Sequence, residues 1–232
     1  MKHMDDLNRR NEPDGEGDAD GRDGQAGAGG RDGQAGAGGE VAGLVLAAGG
    51  GRRLGGRPKA LLTHRGRPLV EHAVAVLRAA GCTRVHVVVG ARAADVRRLA
   101  RLEGCVLVDN PRWEEGMGSS LRAGLDSLAG TGARAVLVSL VDQPGIGSEA
   151  ATRVRAAFRD ETSLVSAAYE GVRGHPVLFG SAHWAGVAAS AAGDRGARAY
   201  LRAHQDAVTL VECGDVARAY DIDTEADLGH LE

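Results

Sequence analysis

Two lysines, Lys2 and Lys59, are all that this chain of 232 residues contains, against twenty-six arginines. Arginine therefore serves as the general cation, and the one lysine beyond residue 40 stands out. Its ammonium is a compact point charge, suited to touching a phosphate from within a tight loop. Cysteine is scarce as well. Cys82, Cys105 and Cys213 are odd in number, far apart and set among apolar neighbours, with no CxxC or Cys/His cluster. They read as reduced core residues rather than a zinc site. No apolar run reaches the roughly 18 residues of a transmembrane helix. The acidic N-terminus lacks the apolar segment of a signal peptide. A cytoplasmic protein with no membrane partner is the expectation.

Residues 1–40 lack large aliphatics apart from Leu7. They hold eleven glycines, ten acids and five Lys/Arg, and GRDGQAGAG occurs at 21–29 and again at 30–38. Such a segment cannot bury enough apolar surface to offset its chain entropy, so a disordered tail is expected. The repeat is too short and polar for a solenoid. The tail reads as a non-functional extension or a weak acidic interaction segment. Residues 41–232 then carry 23 Lys/Arg against 21 acids. That mild excess is not the basic footprint of a nucleic-acid binder. Their length suits one domain with a sizeable core.

What is present is concentrated in Val41–Lys59, VAGLVLAAGGGRRLGGRPK, with six glycines, three arginines, a proline and the lysine. An apolar strand running into a glycine-rich cationic loop suits phosphate. Glycine lets backbone N–H groups approach the anion, and the cations supply charge.

Beyond the loop, apolar spacing predicts helices over Pro68–Gly81, Ala93–Leu102 (Val96, Leu99 and Leu102 inward), Ser119–Leu128 and Ser148–Phe158, with Ser148 as a cap. Strands are predicted at Arg84–Val89, Cys105–Asp109 and Ala135–Val141. Ser163–Tyr169 and His175–Phe179 form a hairpin or a local antiparallel excursion. Helices at about 182–190 and 196–204, a strand at Val208–Glu212 and a short final helix complete the chain. Alternation of this kind predicts a three-layer α/β fold, a mostly parallel sheet with helices on both faces. Ligands bind such sheets outside the carboxyl ends of the strands. That rule sets the glycine loop, Asn110 and Asp142 on one rim.

Two familiar nucleotide loops do not fit. A Walker loop needs GK followed by Ser or Thr, whereas Lys59 lies between Pro58 and Ala60. Gly49, Gly51 and Gly55 give GxGxxxG rather than the dinucleotide GxGxxG, and the second strand ends at Val89-Gly90 without an acid. A glycine loop that merely turns a corner would explain the glycines, but not Arg53 and Lys59 together.

Leu46-Ala47-Ala48-Gly49-Gly50-Gly51-Arg52-Arg53-Leu54-Gly55 with Pro58-Lys59 resembles the LAAGxGxRMGxxK loop of the MobA-like nucleotidyltransferases, with Leu54 at the usual methionine. The resemblance continues through Gly66–His72, Asp109–Gly124, Asp142-Gln143-Pro144, Arg173–Phe179, Gly193–Arg198 and Asp221–Thr224. It is closest to the molybdenum cofactor cytidylyltransferases. It implies a GT-A-like nucleotidyltransferase fold over 41–232, with transfer of CMP from CTP to molybdopterin-bound molybdenum and release of pyrophosphate. The guanylyl branch carries LAGG where this chain has Leu46-Ala47-Ala48-Gly49, so Ala48 favours CTP.

The resemblance implies that Leu46, Ala47, Ala48, Gly49, Gly51, Arg53, Lys59, Asn110 and Ser120 bind the nucleotide. Arg53, Lys59 and Asp142 serve catalysis, and Asp142 and Asp223 hold Mg²⁺. His175, Asp194 and Arg195 face the acceptor. Each has a plainer reading. Asp142 starts a turn before Pro144, Asp223 or Thr224 caps the last helix, and Ser119 and Ser120 cap a helix. Asn110-Pro111 is an ordinary turn, and His175 is structural. The alternative function is an accessory or oxidoreductase-associated protein for a molybdenum hydroxylase, or a transferase with another phosphorylated acceptor.

Overall fold

The computed structural model describes residues 41–231, so the tail expected over 1–40 lies outside the described residues. The first strand, β1 (Val41–Leu46), is buried along its whole length. A glycine loop leads to a two-residue hairpin, β2 (Thr63–His64) and β3 (Arg67–Pro68), which sequence periodicity is too short to reveal. Then follow α1 (Leu69–Ala79), β4 (Val85–Val89), α2 (Ala93–Leu99), β5 (Cys105–Asp109), α3 (Met117–Asp126), β6 (Ala135–Leu140) and α4 (Ser148–Ala156). The chain continues through β7 (Leu164–Tyr169), β8 (Val172–Gly180), α5 (Trp184–Ser190), α6 (Arg198–Ala203) and β9 (Thr209–Glu212). A 3₁₀ helix, Glu225–Leu231, closes the described chain.

Seven strands form one sheet in the order β5-β4-β1-β6-β8-β7-β9. β8 lies antiparallel between β6 and β7, and the other pairings are parallel. The antiparallel excursion arises at Glu170-Gly171, which take positive φ of 53° and 76°. Two successive positive φ values make the tight turn that matches strand twist.

Alternation along β1 shows how one strand serves two layers. Val41 and Val45 pack with α1, α2 and α4, through Leu77, Val96 and Val154. Ala42, Leu44 and Leu46 pack with α3, α5 and α6, through Leu125, Val187 and Leu201. Successive side chains point to opposite faces, so a strand covered on both sides is apolar throughout.

Three local expectations change. α2 stops at Leu99, whose side chain is 52% exposed, while Val96 and Leu102 are buried. Once the helix ends, its spacing no longer dictates which residue faces inward. Ser148 is the first residue of α4, with Gly147 at the cap and no capping side-chain bond. α3 begins at Met117 after Gly116, so Ser119 and Ser120 lie inside its first turn rather than at its cap.

Candidate active site

β1, β4, β5 and β6 run parallel and end on one edge, and the polar loops after them gather there. Gly51 opens the glycine loop with φ of 60°. A Cβ on it would lie 1.9 Å from the carbonyl oxygen of Arg57, so only glycine closes this turn. Leu54 and Gly56 donate to the Gly51 carbonyl, and Arg57 Nε donates to the Leu54 carbonyl at 3.0 Å. Arg57 therefore braces the loop, and its guanidinium also meets Glu225. Among the described residues, no backbone N–H from Ala48 to Arg53 donates to a protein acceptor. A run of unspent N–H groups in a turn is an anion cradle.

Beside the cradle, three residues from distant parts of the chain converge. Lys59 Nζ donates to Asp142 Oδ2 at 2.6 Å and also to Asp223 Oδ1. Arg53, 77% exposed, lies 3.8 Å from the second Asp223 oxygen. Lys59 is only 14% exposed. Burial alone would lower the Lys59 pKa, but the two carboxylates outweigh it and hold the pKa above its ordinary value. Burial pushes the Asp142 carboxyl up, and Lys59 pulls it partly back. These opposite demands meet on one hydrogen bond. The geometry favours the ion pair, because the ammonium touches two carboxylates.

Asp223 reaches this point because residues 218–223 are stitched to the loop after β6. Ile222 N donates to the Asp142 carbonyl at 2.9 Å and Arg218 N to the Gly145 carbonyl at 3.1 Å. Gln143 Nε2 donates to Asp221 Oδ1 at 2.7 Å. A Cβ on Gly145 would sit 2.3 Å from the Arg218 carbonyl oxygen. Gly145→Ala should therefore push this strap away, at roughly 1–3 kcal/mol. The expected result is faster amide exchange across 218–223 with slower exchange kept in the sheet. Unchanged exchange there would show that the close approach is not needed. Neither Asp223 nor Thr224 caps the last helix with its side chain. Asp227 Oδ2 instead accepts from the Asp223 and Thr224 N–H groups and the Thr224 hydroxyl.

The remaining expected residues divide. Ala48 is buried, and its carbonyl accepts from Ala91 N at 3.1 Å. Its methyl belongs to the core against which Trp113 packs, so it faces away from the open side of the loop. Trp113 also lies over the loop, since a Cβ on Gly50 would be 2.9 Å from its ring. Trp113 lies within Asp109–Gly124, one of the stretches that carry the family resemblance. Asn110 Nδ2 donates to Ser119 Oγ at 2.8 Å and Ser120 Oγ at 3.0 Å, and Oδ1 accepts from Arg112 N. Both amide hydrogens are spent, so Asn110 and Ser120 fasten the start of α3.

His175 and Arg195 line one cavity of about 390 Å³, bordered by Leu46 and Gln143. Asp194 lies outside its lining, against Gly116. Burial first, then the charge of Arg198, brings the His175 pKa down to about 4. An unfolded histidine titrates near 6.5, so between pH 7 and pH 5 the unfolded chain gains a proton that the folded chain refuses. Stability is full above that range and falls with pH, by up to about 2 kcal/mol from this residue. His72 and His86 are shifted down by burial and add to the same trend. Thermal melts at pH 7 and pH 5 test this, and His175→Gln should shrink the difference. An equal drop in the variant would rule out His175 as a contributor.

Two carboxylates that already share one cation fit a hard divalent ion. Such ions take one or two carboxylates and complete their shell with phosphate and water. Among the described residues there is no cluster of three or more His, Cys, Asp or Glu that could hold a metal ion. No helix among the described residues is long and apolar enough to cross a membrane.

Residues 43–208 match the MobA-like NTP transferase domain. The nicotine blue oxidoreductase of Paenarthrobacter nicotinovorans is 42% identical over 198 residues, covering 82% of this chain and 96% of that protein. The molybdenum cofactor guanylyltransferase of Acidiphilium cryptum is 36% identical over 114 residues, covering 49% of this chain and 56% of that protein. The Rv0371c protein of Mycobacterium tuberculosis H37Rv, solved as a complex with manganese, superimposes with a TM-score of 0.65 at 26% identity, over 83% of this chain and 97% of that one.

Proposed function

Since this chain belongs to the MobA-like NTP transferase family and is a nucleotidyltransferase by that membership, we propose that it transfers CMP from CTP, with Mg²⁺, to the molybdenum-molybdopterin cofactor and releases pyrophosphate. The observation that carries this reading is the convergence of Lys59, Asp142 and Asp223 beside the unspent N–H groups of the glycine loop.

The reaction asks for positioning and charge stabilisation rather than covalent work by the protein. The loop N–H groups, with Gly49 and Gly51 in their midst, receive the triphosphate. Arg53 and Lys59 grip it and stabilise the charge that develops on the leaving pyrophosphate. Asp142 and Asp223 would hold Mg²⁺, which neutralises phosphate charge when bound. Leu46 and Ala47 end the strand that sets the loop. Asn110 and Ser120 keep the adjoining wall in place, and Ala48 shapes it from behind. A phosphate nucleophile is already ionised, so His175 need not act as a base. His175, Asp194 and Arg195 serve the acceptor side. The guanylyltransferase relative makes GTP the competing nucleotide.

The test supplies Mg²⁺, each nucleoside triphosphate in turn and molybdopterin bearing molybdenum, and measures pyrophosphate. Release specific to CTP supports the proposal, and release with GTP alone replaces its base.

The second reading keeps the fold and drops the transfer, giving a redox or accessory protein for a molybdenum hydroxylase. The similarity to the nicotine blue oxidoreductase favours it. The retained pairing of Lys59 with two carboxylates weighs against it, because a reductase has no need of a triphosphate grip. Tight NAD(P)H binding, with no pyrophosphate from any triphosphate, would select this reading.

A further inference from the structure

The geometry points to the cavity beyond Leu46 and Gln143 as a pocket for one organic anion with an apolar or aromatic body, its anionic group held by Arg173, Arg195 and Arg198. The inference rests on the transferase reading only in taking this ligand as the acceptor. The cavity of about 390 Å³ stands at the small end of ligand pockets, which run from roughly 300 to 1,000 Å³, so it has room for one ring system and its head group.

Charge identifies the head group. Three arginines and His175 line the cavity, and no Asp or Glu does. Among the described residues, the side chains of Arg195 and Arg198 have no hydrogen-bond or ion-pair partner. Arg173 makes only a 3.3 Å bond to the Leu201 carbonyl. Guanidiniums gathered without counter-charge on a concave apolar wall focus a positive potential. Their planar forks match the oxygens of phosphate or carboxylate.

The walls identify the body. Leu46, Val138, Phe179 and Leu201 supply apolar surface. Two polar groups remain unspent there. Gln143 gives its amide hydrogen to Asp221, while its Oε1 is buried and unpartnered. The Tyr169 hydroxyl donates to the His175 carbonyl at 2.6 Å and fixes that backbone, and among the described residues neither ring nitrogen of His175 has a protein hydrogen-bond partner. The neutral imidazole of His175 offers the ligand one polar contact on this wall.

Calorimetry on the full chain with 1-naphthyl phosphate, 1-naphthol and inorganic phosphate separates body from head. Naphthyl phosphate is expected to bind at least about tenfold tighter than either fragment, with affinity falling as salt rises. Arg198→Met and Arg173→Met, checked by thermal melting, are each expected to weaken it by about tenfold. Equal binding of naphthol and naphthyl phosphate, no binding of naphthyl phosphate at millimolar concentration, or unchanged affinity in both folded variants would overturn the inference. Asp142→Ala keeps the two readings distinguishable, since the cavity predicts unchanged naphthyl phosphate binding in it. Naphthyl phosphate binding that needs Arg198, in a protein that releases no pyrophosphate, would sink the transferase reading alone.

Discussion

Asp142→Ala is expected to lower pyrophosphate release from its nucleoside triphosphate by roughly three decades, equal to about 4 kcal/mol of transition-state stabilisation. Asp142 lies just beyond the end of β6, half-buried, with its carboxylate on Lys59 at 2.6 Å. No other described carboxylate except Asp223 shares that contact. Asp223 keeps Lys59 paired when Asp142 is removed, so the fold should survive. A thermal melt near that of the parent is therefore part of the expected result. Asp142→Asn is the sharper control, because it keeps shape and removes charge. If the asparagine variant retains a rate within tenfold of the parent, Asp142 is the turn residue that its place before Pro144 also allows.

Lys59→Met should move two measurements in opposite directions. Pyrophosphate release should fall by about two decades, since a buried ammonium aimed at developing phosphate charge is lost. Binding of Mn²⁺ alone, followed by the loss of its free spin-resonance signal, should become tighter by about tenfold. Lys59 holds both Asp142 and Asp223, so in the parent these carboxylates cannot fully serve a divalent cation as well. Removing the ammonium leaves two like charges facing one point, which favours a cation between them. Lys59→Arg should not restore the rate, because a planar fork does not replace a point charge between two carboxylates. Weaker or unchanged Mn²⁺ binding in Lys59→Met would show that this pair is not the metal site.

The sequence by itself determined the layer order and the nucleotidyltransferase family. Unbroken apolar runs, VAGLVL in β1 and AVLVSL in β6, are local signals of strands covered on both sides, so the mostly parallel sheet with helices on both faces was legible. The lone lysine beyond the tail and the glycine turn were legible for the same reason. Only the tertiary structure decided which of the distant groups meet. Lys59, Asp142 and Asp223 are separated by 83 and 164 residues, and no periodicity spans such gaps. Their meeting depends on the strap 218–223 bonding to the loop after β6, and on Gly145 permitting that approach. Ala48 makes the same point in reverse. Its place in the loop suggested contact with a base, but backbone bonds to Ala91 and packing beneath Trp113 turn its methyl into the core. A side chain's direction follows from the contacts around it, and sequence spacing supplies only its address along the chain.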